Sequence, residues 1–231
     1  MQISSGVPGF DGLVDGGFPA ERLYVVSGPP GSGKTTFCSQ FAANGAKNGE
    51  DVLYVSMHET KEGIREDMGS YEFGFDRALD TDRVTFLDSF SSDGRRFFGL
   101  PGERRDSSGV TNRLTGFINS RDIDRVVFDS TMLLRFLLDD GEDTMIQLLS
   151  SLKRCSATTL LISEMTDPSA YSEEHYLAHG VVFLHNYLED DGMRRGIQVL
   201  KMRGTGIDTD IQDVEFTDEG LHVGSAATLT H

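Results

Sequence analysis

The sequence predicts an α/β fold with a mostly parallel central sheet, helices on both faces and an antiparallel C-terminal hairpin extension. Apolar, β-branched segments alternate with helical patterns over the first ~160 residues, an order typical of a parallel sheet covered by helices. The last apolar segments follow one another without helices between them, which predicts antiparallel pairing. The length of 231 residues fits one domain, covering residues 1–231.

The individual elements follow from the spacing of apolar residues and from the turn residues between them. Helices are expected at Thr35–Lys47 and at Thr144–Arg154. The segment 91–112 is rich in Ser, Gly, Asp and Arg, and we expect it to be a mobile loop. Strands are expected at Leu23–Ser27, Val52–Met57, Val84–Asp88, Arg125–Phe128, Thr159–Ser163, Val181–Leu188, Gly196–Met202, Val214–Phe216 and Leu221–Val223.

A glycine-rich loop follows the first strand and matches G-x-x-x-x-G-K-[ST], the pattern of a phosphate-binding loop. Glycines let the backbone approach phosphates closely, and the helix that follows presents unpaired N–H groups to them. Lys34 is expected to reach the β- and γ-phosphates, and the Thr35 hydroxyl to hold Mg²⁺. The sequence therefore predicts a nucleotide site. Its residues are Gly28, Pro29, Pro30, Gly31, Ser32, Gly33, Lys34, Thr35 and Thr36.

Two further strand ends supply candidate active-site groups. The strand Arg125–Phe128 is followed by Asp129, whose carboxylate is the candidate second ligand of Mg²⁺. Asp129 could equally start a helix, and that capping role is the alternative. The strand Val52–Met57 is followed by His58 and Glu59, a titratable pair that could orient or deprotonate an attacking water molecule.

Composition indicates where the chain works. Its 21 basic and 37 acidic residues give a formal net charge of −16, and the acids are spread along the chain. Such a surface suits concentrated salt, so we expect a halophilic source; an ordinary acidic protein is the alternative. Two cysteines are too few for a disulfide framework, no apolar run spans a membrane, and the first residues lack a signal peptide. We therefore expect a cytoplasmic location.

Taken together, these segments resemble the KaiC-like branch of the RecA superfamily of ATPases over nearly the full length. The resemblance implies a RecA-type fold in which Thr159–Ser163 lies between the phosphate-loop strand and the Asp129 strand. It also implies an ATPase that uses ATP and Mg²⁺ and forms rings, expected to be hexameric, with nucleotide between adjacent subunits. The resemblance rests on six segments that occur in the same order as in the family: Gly6–Asp11 with Gly16–Pro19, Gly28–Thr36, Val52–Glu59, Val126–Ser130, Leu160–Glu164 and Leu200–Thr205.

The same resemblance implies roles for three charged residues. Lys201 and Arg203 would reach the γ-phosphate bound by the neighbouring subunit, which is an arginine-finger role. From the residues alone they are two charges on one face of an exposed strand, and that alternative stays open. Glu164 ends a buried strand where RecA-type proteins place a γ-phosphate sensor, with a cap or surface role as the alternative.

The sequence departs from the family at two places. The family usually has two adjacent glutamates after the second strand, the first being catalytic, whereas this chain has His58 and then Glu59. Imidazole can act as a base but lacks the permanent charge of a carboxylate, so we expect hydrolysis to be slow or absent; substitution by Glu59, if its side chain points inward, is the alternative. Clock-type double-domain members carry an acceptor Ser-Thr pair where this chain has His175 and Tyr176, which disfavours a self-phosphorylating clock protein.

Three functions remain open on the sequence. The first is a KaiC-like regulatory or signalling ATPase that assembles with nucleotide and acts on an unknown protein partner. The second is a recombinase-paralogue-like ATPase on single-stranded DNA; the net charge disfavours it, although Arg95, Arg96, Arg104 and Arg105 are candidate contacts. The third is a nucleotide-sensing assembly module that does not hydrolyse ATP, which His58 indicates.

Overall fold

The computed structural model describes residues 1–99, 107–131, 142–189 and 192–224. A 3-10 helix at Phe10–Val14 and a two-stranded sheet, β1 (Gln2–Ile3) with β2 (Phe18–Pro19), form the N-terminal part. The strands of the main sheet are β3 (Leu23–Gly28), β4 (Val52–Ser56), β5 (Val84–Asp88), β6 (Arg125–Asp129), β7 (Thr158–Glu164), β8 (Gly180–Glu189), β9 (Gly192–Met202), β10 (Gln212–Thr217) and β11 (Gly220–Val223). The helices are α1 (Lys34–Lys47), α2 (Lys61–Met68), α3 (Phe75–Ala78), α4 (Ser92–Phe98), α5 (Ser107–Ser120), α6 (Glu142–Leu152) and α7 (Glu173–Leu177).

The main sheet is parallel in one half and antiparallel in the other. Its strand order is β11-β10-β9-β8-β3-β7-β6-β4-β5. The neighbouring strands in the part β8-β3-β7-β6-β4-β5 are paired in parallel. The neighbouring strands in the part β11-β10-β9-β8 are antiparallel. The predicted α/β fold class and the position of β7 between β3 and β6 are therefore confirmed.

Both faces of the sheet are apolar because the central strands are covered by helices on each side. One face packs against α1, where Tyr24 and Val26 of β3 lie in the same buried cluster as Phe37 and Phe41 of the helix. The opposite face carries Val25 and its neighbours and packs against α5 and α6. Within the residues described, no helix is both long enough and apolar enough to cross a membrane.

A buried arginine fixes the start of β6, the strand that ends at Asp129. Arg125 is 1% exposed and forms an ion pair with Glu50, while its guanidinium lies 4.5 Å from the ring centroid of Phe41. It also donates hydrogen bonds to the carbonyl oxygens of Ser4 at 2.9 Å and of Phe41 at 3.0 Å. Because an ion pair, two hydrogen bonds and an aromatic ring surround this cation, its burial is tolerated and ties β6 to α1.

The expectation of a loop over 91–112 is wrong where the structure describes that segment. Ser91 caps α4 by accepting a hydrogen bond from the Gly94 N–H at 3.1 Å, and Phe98 at the other end of this helix is buried. The beginning of α5 also falls in the segment. Tertiary burial of Phe98 outweighs a local composition that is typical of loops. Residues 100–106, which include Arg104 and Arg105, lie outside the described residues.

Candidate functional site

The carboxyl ends of β3, β4, β6 and β7 meet at one edge of the sheet, where a cleft of about 580 Å³ opens. Ligands of open parallel sheets bind outside this edge. The cleft combines residues of the phosphate loop with residues from distant parts of the chain. It is lined by Pro30, Gly31, Gly33, Lys34, Thr35, Thr36, His58, Tyr71, Asp129, Ile162, Glu164, Arg195 and Phe216.

The phosphate loop has the backbone that the glycine pattern predicts. Gly28 ends β3 with a φ of 150°, and a Cβ placed there would lie 2.3 Å from the carbonyl oxygen of Leu184. Gly33 precedes α1 with a φ of 104°. These two positions therefore require glycine, and the first N–H groups of α1 face the cleft, where they can bind an anion.

Lys34 is the buried cation of this loop. Its side chain is 6% exposed, and Nζ donates to the carbonyl oxygens of Gly28 at 2.8 Å and Pro29 at 3.0 Å. Nζ also lies 3.4 Å from Oε2 of Glu164, the last residue of β7. Lys34 and Glu164 thus form an ion pair inside the cleft, and the carboxylate fixes the ammonium group where phosphate would bind.

Asp129 and Thr35 are brought together as the candidate magnesium ligands. The Thr35 hydroxyl donates to Asp129 Oδ2 at 2.9 Å, and the Tyr54 hydroxyl lies 3.4 Å from the same oxygen. Burial raises the pKa of Asp129, while the nearby His58, the Thr35 hydrogen bond and Lys34 oppose that rise. A carboxylate beside a hydroxyl, next to a phosphate loop, fits the oxygen donors that Mg²⁺ takes in nucleotide sites. The partners of Asp129 come from other elements, which favours this role over a helix cap.

His58 and Glu59 are separated by the structure. The His58 ring lines the cleft, and its Nδ1 lies 3.6 Å from Asp129 Oδ1. Glu59 is absent from the described lining residues, and its carboxylate lies against the first turn of α2, 2.8 Å from where a Cβ on Gly63 would stand. The pair therefore presents imidazole, rather than carboxylate, to the cleft.

Three cleft residues were missed by sequence reasoning. Arg195 of β9 donates from Nε to the carbonyl oxygen of Gly31 at 3.2 Å, and its guanidinium lies 5.0 Å from the ring centroid of Phe216. Tyr71 follows α2 and stacks on Phe73 at 5.5 Å. These rings and the guanidinium form a wall suited to a nucleotide base or ribose beside the loop. No local motif marks these residues, because Arg195 and Phe216 are brought to the loop by the strand order and Tyr71 by the packing of the segment after α2.

Lys201 and Arg203 lie at the opposite end of the sheet from this cleft. Lys201 pairs with Val181, and Val181 pairs with Val25 of β3. Val25 precedes Gly28 by three residues, so Lys201 is displaced from the level of Gly28 by about 10 Å along the strand direction. Lys201 Nζ donates to the carbonyl oxygens of His175 at 3.0 Å and Tyr176 at 3.2 Å. Burial, followed by the charges of Arg203 and Lys153, lowers the pKa of Lys201.

Comparison with known proteins agrees with this geometry. The family described as "ATPase: KaiC" matches residues 3–228. The chain is 29% identical over 211 residues to circadian clock protein KaiC3 of a Synechocystis species. It is 31% identical over 215 residues to circadian clock oscillator protein KaiC of Prochlorococcus marinus. The aligned stretches cover 88% and 89% of this chain but only 41% and 42% of those relatives.

A solved structure resembles nearly the whole chain. It is a KaiC-like protein from the hyperthermophilic archaeon Pyrococcus horikoshii OT3, with a TM-score of 0.83 and 25% sequence identity. The match covers 97% of this chain and 99% of that protein. The chain therefore spans less than half of the curated relatives it matches, yet it corresponds to almost all of the archaeal structure.

Proposed function

Because the chain belongs to the KaiC family of RecA-superfamily ATPases, we propose that it is a regulatory module that couples slow, Mg²⁺-dependent ATP hydrolysis to assembly with copies of itself. The hydrogen bond of 2.9 Å between Thr35 and Asp129, beside the buried Lys34, carries this proposal. It joins the phosphate loop to the acid of another strand, an arrangement that supports a metal–nucleotide site.

The proposed binding roles follow from the contacts in the cleft. Loop N–H groups and Lys34 would hold the β- and γ-phosphates, and Arg195 with Phe216 would bound the nucleotide on the other side. Thr35 and Asp129 would hold Mg²⁺, which when bound neutralises charge on the phosphates. Glu164, paired with Lys34 at 3.4 Å, would sense the γ-phosphate by exchanging that ion pair.

Slow hydrolysis follows from the group that faces the cleft. His58 presents Nδ1 to Asp129, so its Nε2 lies on the far side of the ring and would accept a proton from an attacking water molecule. The neutral ring carries no charge to polarise that water, unlike a carboxylate. Glu59, turned towards α2, is not expected to replace it.

Assembly is proposed because one chain holds the two halves of the site at opposite ends of its sheet. The phosphate loop lies at the carboxyl end of β3, whereas Lys201 and Arg203 lie at the level of its beginning. Their positive charges would complete the site of a neighbouring copy in a head-to-tail ring, expected to be hexameric. We expect ATP to stabilise this contact because the γ-phosphate lies between the subunits.

Phosphate release and oligomeric mass test the proposal. Release is measured across a salt series for the wild type and for His58→Ala, His58→Glu and Glu59→Gln, with Lys34→Ala as the control for contaminating ATPases. We expect slow wild-type turnover, a decrease of about 10²-fold in His58→Ala, an increase in His58→Glu and little change in Glu59→Gln. Native mass measurements with and without ATP should show larger assemblies with ATP.

The same measurements distinguish the competing functions. An inert wild type with an active His58→Glu variant would identify a nucleotide-sensing assembly module. Loss of turnover in Glu59→Gln would show that Glu59 is the base. ATP-dependent retention of single-stranded DNA, lost on charge reversal of Arg95 and Arg96, would support the recombinase-like function.

A further inference from the structure

A buried polar cluster connects the phosphate-loop strand to α7. Ser27 directly precedes Gly28 in β3, Ser163 directly precedes Glu164 in β7, and the two serines are in-register neighbours. Ser163 Oγ donates to Glu174 Oε1 at 2.8 Å, and Ser27 Oγ lies 2.7 Å from His175 Nε2. All four side chains are almost completely buried.

The hydrogen bonds fix the orientation of the His175 ring. The backbone N–H of Ser172 donates to Nδ1 at 3.1 Å, so Nδ1 acts as an acceptor. In the neutral ring the proton therefore stands on Nε2, which donates to the Ser27 hydroxyl. The imidazole thus bridges the segment before α7 and the residue immediately before the phosphate loop.

The other end of α7 is held by lysines. Lys201 Nζ donates to the carbonyl oxygens of His175 and Tyr176, and Lys153 Nζ donates to that of Leu177 at 2.9 Å. These are the last carbonyls of α7, which attract cations. The same short helix therefore contacts Ser27 through a side chain and Lys201 through its backbone.

We propose that His175 is a positioning residue that couples the phosphate loop of one subunit to the Lys201 side chain that the same subunit offers to its neighbour. This rests on the proposed nucleotide site and on the proposed role of Lys201 between subunits. Gly28 and Glu164, one residue beyond the two serines, hold Lys34 together with the carbonyl oxygen of Pro29. When a phosphate group replaces these contacts to Lys34, the ends of β3 and β7 shift.

The helix α7 follows this shift because its bonds to the serines are buried. Breaking the bond of Ser27 to His175, or that of Ser163 to Glu174, would leave polar atoms buried without that partner, which is unfavourable. A displacement of the strand ends therefore carries α7 with it, and Lys201, bonded to the last turn, moves too. Nucleotide binding at the phosphate loop of one subunit thereby changes the position of the Lys201 ammonium group that this subunit presents to its neighbour.

The lysines of the chain provide a direct test. There are only five, at positions 34, 47, 61, 153 and 201, so [¹³Cε]lysine labelling gives five NMR signals that single Lys→Arg variants assign. Labelled subunits are mixed with an excess of unlabelled wild type, so that every labelled Lys201 faces the same neighbour. The probe is Mg²⁺ with a non-hydrolysable ATP analogue at saturating concentration.

Three variants of the labelled subunit separate coupling from folding. Ser27→Ala removes the contact from the strand side. In His175→Gln the amide N–H reaches about as far as Nε2 and keeps the bond to Ser27, whereas the shorter His175→Asn keeps the bond to Ser172 and loses the bond to Ser27. Thermal unfolding of each variant confirms that it is folded.

The wild type and His175→Gln are expected to show shifts of both Lys34 and Lys201 when the analogue binds, with Lys47 unchanged. Ser27→Ala and His175→Asn should keep the Lys34 shift and lose more than half of the Lys201 shift. An undiminished Lys201 shift in Ser27→Ala, or a wild-type Lys201 signal that does not respond while Lys34 does, would overturn the coupling. A Lys34 signal that does not respond in the wild type would overturn the nucleotide site itself, and the coupling with it.

Discussion

Mixing two inactive variants tests whether Arg203 acts on the site of a neighbouring subunit. Lys34→Ala removes the loop cation but keeps Arg203, and Arg203→Ala keeps Lys34. Arg203 follows Lys201, which lies level with the start of β3, whereas the phosphate loop follows the end of β3. We therefore expect Arg203 to act on the loop of the next subunit. In a head-to-tail ring assembled at random from equal amounts, an intact loop meets an intact Arg203 at about one quarter of the sites. We therefore expect about one quarter of wild-type turnover, against almost none for either variant alone.

The measurement is steady-state phosphate release at saturating ATP after the subunits have been mixed and reassembled, with native mass spectrometry to confirm mixed rings. The matched control mixes Lys34→Ala with the double variant Lys34→Ala/Arg203→Ala, in which no subunit has an intact loop. Turnover in that control must stay at background. Mixed rings without recovered turnover would refute action in trans, because an Arg203 that served its own loop could not be supplied by another subunit.

Two further predictions concern the loop and its acid. Asp129→Asn should abolish Mg²⁺-dependent nucleotide binding yet stabilise the nucleotide-free protein by about 1 kcal/mol at neutral pH, because burial raises the pKa of Asp129 and makes its charged form costly. Because the pKa of Asp129 is raised in the folded state, this group destabilises the wild type as pH rises above the ordinary aspartate pKa. The stabilisation of Asp129→Asn relative to the wild type should therefore vanish below that pKa. Thermal unfolding at several pH values measures this difference. Gly33→Ala should destabilise by about 1–3 kcal/mol, since its Cβ would lie 2.7 Å from Phe216. Gly116→Ala, with nothing within 4 Å, is the matched control and should stabilise slightly.

The sequence predicted the strands of the sheet well because their pattern is local. β3, β4 and β6 are buried on both faces, so each reads as a short continuous apolar run with turn residues on both sides. The helix α4 shows the opposite case. Its seven residues hold few apolar side chains, and it depends on Phe98 joining an apolar cluster formed by other elements of the chain. Composition alone therefore favoured a loop.

The cleft was predictable only where a motif marks its residues. Lys34 and Thr35 belong to the loop pattern, and Asp129 follows a strand whose end must lie beside that loop. Arg195 and Phe216 reach the cleft from β9 and β10, which are ordered by antiparallel pairing at the other side of β8. No spacing in the sequence records that proximity, because it is produced by the strand order.

The choice between His58 and Glu59 shows where the sequence stops being informative. Side chains alternate between faces only inside a strand, and β4 ends at Ser56, so the pleat does not determine which of the next residues faces the nucleotide. The structure places His58 3.6 Å from Asp129. A carboxylate at that position would repel the buried Asp129, whereas an imidazole adds no negative charge there and, in its protonated form, opposes the rise in the pKa of Asp129. The replacement of the usual glutamate by His58 therefore removes a like-charge conflict at the proposed magnesium ligand and, by the same change, is expected to remove the charge that would polarise the attacking water.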